Sequence, residues 1–268
     1  MPRRKYLYYL SSIFTLLTEF ENPTLILRYF TGIKRPTEPQ QVKLRASGLR
    51  FYVRNAMDIW SIKETFIDRF YERFGTPVED GWTIIDVGAG LGDYTIFVSY
   101  RSLANRVFAY EPFHGSFSLL EENLRLNGIS TAQAFNQAVS GETGYLRLDL
   151  SGGEPLQIQS VDVKQDKNSS AGASVVPCLC LADVLTSNDL QRCDVLKLDC
   201  EGSEYSILFG ARDDILARID RIVMEYHDGI TEYDLHDLAQ YLREKGYRVK
   251  ITANNVHTHL GYMYASRV

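Results

Sequence analysis

Four stretches between residues 86 and 227 carry the side chains best suited to chemistry. They are Asp86-Val-Gly88-Ala-Gly90-Leu-Gly92-Asp93, then Glu111, then Lys197-Leu-Asp199-Cys-Glu201-Gly-Ser-Glu204, and last Glu225-Tyr-His227. Each follows a short aliphatic or β-branched run, so each stands where a strand ends. In an open parallel sheet, ligands bind outside the carboxyl ends of the strands, at the switch in strand order. Glycines at such a turn let the backbone bend tightly and let a ligand touch it without interference from a Cβ.

The glycine spacing restricts the ligand. A dinucleotide fingerprint, G-x-G-x-x-G, needs glycine at position 93 after Gly88 and Gly90, but Asp93 stands there and the third glycine comes early, at Gly92. A pyrophosphate at that helix start would meet Asp86 and Asp93, which is unfavourable electrostatics. A ligand with a cationic part fits better. Glu111 follows Gly90 by 21 residues, where an acid can accept both hydroxyls of a ribose. Its alternative role is an exposed carboxylate capping the next helix. A nucleoside with free ribose hydroxyls and no pyrophosphate points to S-adenosylmethionine.

The elements that must position these groups alternate between strand and helix. Thr83–Val87, Arg106–Tyr110, Ala132–Val139, Asp194–Leu198 and Arg221–Glu225 read as strands. Helices are expected near 94–103, 116–127, 204–209 and 233–245, and Tyr247–Ala253 with Leu260–Ser266 pair around Asn254-Asn255. That pattern predicts an α/β fold: a mostly parallel sheet, helices on both faces, and a terminal antiparallel β-hairpin. Upstream, residues 43–53 suggest a small hairpin around Ser47-Gly48. Ser61 to Glu64 then fits a capping box opening a helix that carries Phe66, Phe70 and Phe74 and stops at Gly75. The chain divides into a basic, aromatic helical segment at 1–42, a hairpin and helix at 43–80, and a main domain at 81–268. A β-rich insertion at about 140–185 has a mobile tip at Lys164–Gly172.

Lys197 and Asp199 share one face of an otherwise apolar strand. A lysine there is costly unless paired, and Asp199 or the Glu201/Glu204 pair are its expected partners. Glu225 and His227 share a face one strand further on. His227 can act as the base that takes an acceptor's hydroxyl proton, with its usual pKa of about 6.5. Alternatively, Asp199, Glu225 and His227 bind a divalent metal such as magnesium that acidifies the hydroxyl, or the histidine is structural. His114, His236 and the His257-x-His259 pair are weaker candidates.

The four stretches, together with Asp93-Tyr-Thr95 and Tyr110-Glu-Pro-Phe113, resemble the motifs of the FkbM family of S-adenosylmethionine-dependent methyltransferases over roughly residues 43–265. The Lys-x-Asp-x-Glu-Gly-x-Glu block is the specific part; the glycine motif is common to all class I methyltransferases. The resemblance implies the Rossmann-like, seven-stranded class I fold and O-methylation of a sugar, glycan or other natural-product hydroxyl. It also implies that Gly88, Gly90 and Gly92 approach the cofactor, and that Asp86 and Thr95 serve its amino-acid end. Glu111 would hold its ribose and Gln137 would lie beside the adenine; from their own chemistry, Lys197, Asp199 and His227 are expected at the reacting centre, Asp199 also touching the cofactor, with a structural ion pair the alternative for Lys197. Gly90 departs from relatives, which often carry Asn there.

At 268 residues, 45% hydrophobic and 24% charged, the chain has ample length to bury a core. Its four cysteines lack both CxxC spacing and the density of a disulfide scaffold, and read as free thiols in a reducing compartment. Charge is asymmetric: residues 1–54 carry +7 and the remainder −12. An acidic main body argues against a nucleic-acid surface. The basic N-terminal segment reads as two short helices packed on the body, as a membrane-surface pair, or as a cleaved signal lacking a small-residue site. The expectation is a cytoplasmic enzyme, with peripheral contact to a membrane or a lipid-linked acceptor through residues 1–42. A non-catalytic scaffold of the same fold and a nucleotide-dependent oxidoreductase are the competing readings.

Overall fold

The computed structural model describes residues 2–33, 36–149, 158–160, 173–229, 231–254 and 260–267. His257, His259, Asn255 and the Lys164–Gly172 tip lie outside them. Two helices open the chain, α1 (Pro2–Glu19) and α2 (Pro23–Thr31). Pro23 sits in the first turn of α2, where a missing N–H costs nothing. Leu16 lies on α1 with Phe20 just past its end, and Ile26 and Tyr29 lie one turn apart on α2. All four are buried in one cluster with Val42, Phe51, Ile59 and Leu120. The segment thus shares its core with the body, and the Tyr29 hydroxyl donates to the Val53 carbonyl at 3.0 Å.

Next, β1 (Gln40–Lys43) and β2 (Arg50–Val53) form an antiparallel hairpin that begins at Gln40 rather than Lys43, crossing the expected 42/43 boundary. Helix α3 (Ala56–Lys63) starts earlier than expected. Asn55, not Ser61, is its cap, accepting from the Met57 and Asp58 amides at 2.8 and 3.0 Å. Nor does the helix run evenly to Phe74. A π-helical turn (Glu64–Asp68) and Arg69 at φ +52° separate α3 from α4 (Phe70–Phe74). π-turns recur at functional sites. Here Phe66 packs edge-on against Phe51 and Phe97, and Tyr71 against Tyr94.

The main domain follows as β3 (Thr83–Val87), α5 (Asp93–Arg101), β4 (Arg106–Tyr110), α6 (His114–Leu126) and β5 (Ala132–Phe135). The expected single strand at 132–139 breaks at Asn136-Gln137, after which β6 (Ala138–Val139) leaves the sheet. It joins β7 (Gly144–Asp149), β8 (Ile158–Ser160) and β9 (Ala173–Leu179) in a four-stranded sheet of order β6-β9-β7-β8, larger than the hairpin expected of the insertion. The chain returns through α7 (Leu181–Ser187), β10 (Val195–Leu198), α8 (Ser203–Gly210), α9 (Asp213–Leu216) and β11 (Arg221–His227). It ends with α10 (Leu235–Glu244), β12 (Arg248–Ala253) and β13 (Leu260–Ser266).

The seven-stranded sheet has the order β12-β13-β11-β10-β3-β4-β5, and β13 alone runs antiparallel to its neighbours. This is the Rossmann-like class I methyltransferase architecture. One face carries Ile84, Val107, Val195 and Val223 under Tyr94, Phe97 and Val98 of α5. The other carries Ile85, Val87, Leu196, Leu198 and Met224 under residues of α7, α8 and α10. Strand order switches between β3 and β10, so the crevice opens at Val87–Gly92 and Asp199.

Candidate active site

Asp86 is fully buried near the end of β3, where the Thr95 hydroxyl donates to its Oδ2 at 2.6 Å. Register places Lys197 of β10 directly beside it. The Lys197 Nζ lies 3.0 Å from Asp86 Oδ1 and donates to the Gly88 carbonyl at 2.8 Å, whereas Asp199 stands 3.9 Å away. The primary partner is therefore Asp86, not the expected Asp199 or Glu201/Glu204. Burial works against the Lys197 ammonium. Asp86, Asp199 and Asp93 more than offset it and raise its pKa above the ordinary value.

The glycines divide the turn between packing and openness. At Gly88, φ is +73° and a Cβ would fall 1.8 Å from the Asp199 carbonyl oxygen, so the two strand ends touch backbone to backbone. At Gly90, φ is +55° and a Cβ would meet nothing within 4 Å, which leaves room for a ligand against the chain. Glu111 faces this turn. Its Oε2 accepts from the Gly90 amide and its Oε1 from the Phe113 amide, each at 2.8 Å. It does cap the start of α6 through Phe113, but it is buried rather than exposed. Burial pushes its pKa up to about 7, against the pull of those two amides, Lys197 and Arg54. Asn136 pins the segment by donating to the carbonyls of Glu111 and Pro112, at 2.9 and 3.0 Å. Gln137 follows, half-buried at the break between β5 and β6.

Asp93 begins α5 and accepts from the Thr65 hydroxyl of the π-turn. Burial raises its pKa, opposed by hydrogen bonds from Thr65 and Ser61. Ser61, expected to cap its own helix, instead braces the helix of the glycine turn. Gly92 completes that turn at φ +90°.

Beyond Lys197 lies a second group of acids. The Tyr71 hydroxyl donates to Asp199 Oδ2 at 2.9 Å. Glu225 of β11 is pushed up to about 9 by burial, then by the charges of Asp199 and Glu64. Glu64 is pushed up to about 7 by burial, while Trp60 donates to its Oε1 at 2.8 Å. Sequence reasoning missed Glu64 and Tyr71. Glu64 was absorbed into a capping box, although its place four residues after Trp60 in an aromatic stretch was a usable signal.

His227 does not belong to Asp199 and Glu225 as a ligand set would require. Its Nδ1 lies 3.1 Å from Glu204 Oε1 and its Nε2 3.6 Å from Glu201 Oε2. Glu204 is fully buried and also accepts from the Cys200 and Gly202 amides, both at 2.8 Å, which closes the turn after β10. Burial alone would lower the imidazole pKa. The bond to Glu204 and the charges of Glu204, Asp199 and Glu201 outweigh it and raise the value to about 10. The imidazole is thereby held toward its charged form, above the ordinary value of about 6.5 expected of a base. Among the described residues, no three His, Cys, Asp or Glu side chains converge to hold a metal ion.

Residues 86–249 match the pattern of the methyltransferase FkbM domain. The chain is 29% identical over 223 residues to the AMB antimetabolite synthetase AmbE of Pseudomonas aeruginosa, a match covering 70% of this chain but spanning only 10% of that protein. It is 27% identical over 215 residues to the 31-O-demethyl-FK506 methyltransferase FkbM of Streptomyces tacrolimicus, covering 70% of this chain and 80% of the other. Among solved structures, methyltransferase FkbM from Methylobacillus flagellatus superposes with a TM-score of 0.50 at 16% identity, over 78% of this chain and 54% of that one. At that identity the likeness bears on the fold.

Proposed function

The chain belongs to the FkbM methyltransferase family, and on that premise we propose that it transfers the methyl group of S-adenosylmethionine to a hydroxyl oxygen of a sugar, glycan or other natural-product small molecule. The observation that carries this reading is Glu111, a buried carboxylate aimed at the Gly90 amide beside an open cradle. A carboxylate at that point suits ribose hydroxyls. The O-methyl reading draws support from the name of the Streptomyces tacrolimicus relative.

The residues present fit the cofactor. Gly90 would give it open backbone, Asp86 and Thr95, buried and bonded to each other, would hold the turn beneath its amino-acid end, Glu111 would take its ribose, and Gln137 would lie beside its base. When bound it supplies an electrophilic methyl group on a sulfonium. The protein must then align the acceptor oxygen and accept its proton.

Asp199 is the proton acceptor on this reading. It lies at the mouth of the crevice, oriented by the Tyr71 hydroxyl and within 3.9 Å of Lys197. Glu225 and Glu64, whose raised pKa values keep protons on this group of acids near neutral pH, hydrogen-bond the acceptor. His227 is a positioning residue, a cation that fixes Glu204 and with it the turn carrying Asp199. Lys197 keeps Asp86 neutralised and holds the glycine turn by its carbonyl.

Calorimetry with S-adenosylmethionine and with NAD, each with and without EDTA, tests the cofactor. Methyl transfer from radiolabelled cofactor to a panel of hydroxylated acceptors tests the reaction. Binding of NAD alone would reverse the assignment. A chelator effect on turnover but not on cofactor binding would revive metal assistance.

A further inference from the structure

Residues 11–33 bury one side of the helix pair and expose the other. Leu16, Phe20, Ile26 and Tyr29 face the core, while Ile13, Phe14, Leu27, Phe30 and Ile33 stand in solvent. The two most open, Phe14 and Ile33, are 70% and 67% exposed. Met57 of α3 is exposed too, and the Phe30 ring lies 6.4 Å from that of Trp60 on the same helix. Six of the eleven large hydrophobic side chains exposed among the described residues therefore fall between positions 13 and 57. Scattered apolar side chains need no explanation, but a concentration of this kind does.

Charge tells what covers it. The same segment bears Arg3, Arg4 and Lys5 in the opening turns of α1, then Arg28, Lys34 and Arg35. Residues 1–54 carry +7 on a chain whose remainder carries −12. A second copy of so polarised a chain would present either the same basic face or an acidic, polar one. No helix among the described residues is long and apolar enough to cross a membrane. Aromatic and aliphatic residues interleaved with bases suit a helix pair lying in the headgroup layer of an anionic bilayer.

We propose that α1 and α2 dock the enzyme on an anionic membrane surface, inserting Phe14, Leu27, Phe30 and Ile33, with the basic charge of this end of the sequence drawing it to the lipid headgroups. The docking is independent of the methyl-transfer reading, because it uses none of the crevice residues.

Co-sedimentation of the full chain with vesicles tests it. Vesicles with phosphatidylserine should bind the protein, and phosphatidylcholine vesicles should bind at least tenfold less. Each base near the surface contributes roughly fivefold, so R3E/R4E/K5E should weaken binding by roughly a hundredfold. F14S/I33S, which changes only exposed side chains, should weaken binding at least tenfold with an unchanged thermal unfolding midpoint. Three results would overturn the proposal: no binding to phosphatidylserine vesicles, equal binding to both vesicle types, or a lipid-free dimer abolished by F14S/I33S.

Discussion

His227→Gln separates a catalytic base from a structural cation. Glutamine keeps a donor for Glu204 but removes the charge. Burial opposes that charge in the folded protein. The bond to Glu204 and the charges of Glu204, Asp199 and Glu201 override burial and carry the imidazole from 6.5 to about 10. Such a rise corresponds to roughly 5 kcal/mol of linkage at most. The contact with Glu201 is discounted, because that side chain is 44% exposed and screened. Glu204 also keeps its bonds from the Cys200 and Gly202 amides in the variant. A loss on the order of 3 kcal/mol remains, within the range seen when a buried pair is broken.

The sign follows from the direction of the change. The folded value lies above the unfolded one, so the stabilisation is complete below pH 6.5 and disappears as pH rises through 10. Guanidinium unfolding of wild type and variant at pH 6, 8 and 10.5 should show a gap of about 3 kcal/mol that closes at the highest pH. A gap independent of pH would refute the charged imidazole. So would an acid limb near pH 6.5 in kcat/KM that the variant abolishes, since that limb is the mark of a neutral histidine base.

Three further outcomes follow from the crevice. Glu111→Gln should weaken S-adenosylmethionine binding by about 10- to 100-fold by calorimetry, the worth of hydrogen bonds to a charged group. Wild-type affinity should itself fall as pH drops through about 7, where burial leaves this carboxyl to protonate. Gly88→Ala forces a Cβ to within 1.8 Å of the Asp199 carbonyl and should cost stability heavily, while Gly90→Ala meets open space and should lose only about 1–2 kcal/mol to its left-handed backbone in thermal unfolding. Lys197→Met strands the fully buried Asp86 and should cost about 3–5 kcal/mol in denaturant unfolding, much of it restored by adding Asp86→Asn.

The sheet was legible because each strand ends in a distinct chemical signal. Asp86, Glu111, Asp199 and Glu225 all close apolar runs, and the glycine turn marks the first crossover. Contacts across the sheet were less legible. Lys197 meets Asp86 because β10 and β3 are neighbours in a fixed register, and nothing local in the sequence sets that register. Two carboxylates within seven residues looked nearer along the chain and proved farther in space. The π-turn at Glu64–Asp68 was hidden for another reason. Its aromatic spacing satisfies an ordinary helix, and only docking against Phe51 and Phe97 selects the wider turn. His227 is a third case: its residue type suggests a base, while Glu204 and Glu201 beside it favour the cation, which residue type alone does not show.

That cation bears on the choice of proton acceptor. With His227 and Lys197 each locked to acids, the crevice keeps an excess of carboxyl groups, and burial first, then their neighbouring charges, raise Glu225 and Glu64. On the reading proposed here, the bound cofactor would supply a methyl group carried on a positive centre, and Asp199 would take the acceptor's proton. The opposite charges vanish together, so the surrounding protein has no new ion to solvate. That neutralisation is realised only as the acceptor loses its proton, which is where stabilisation speeds a reaction.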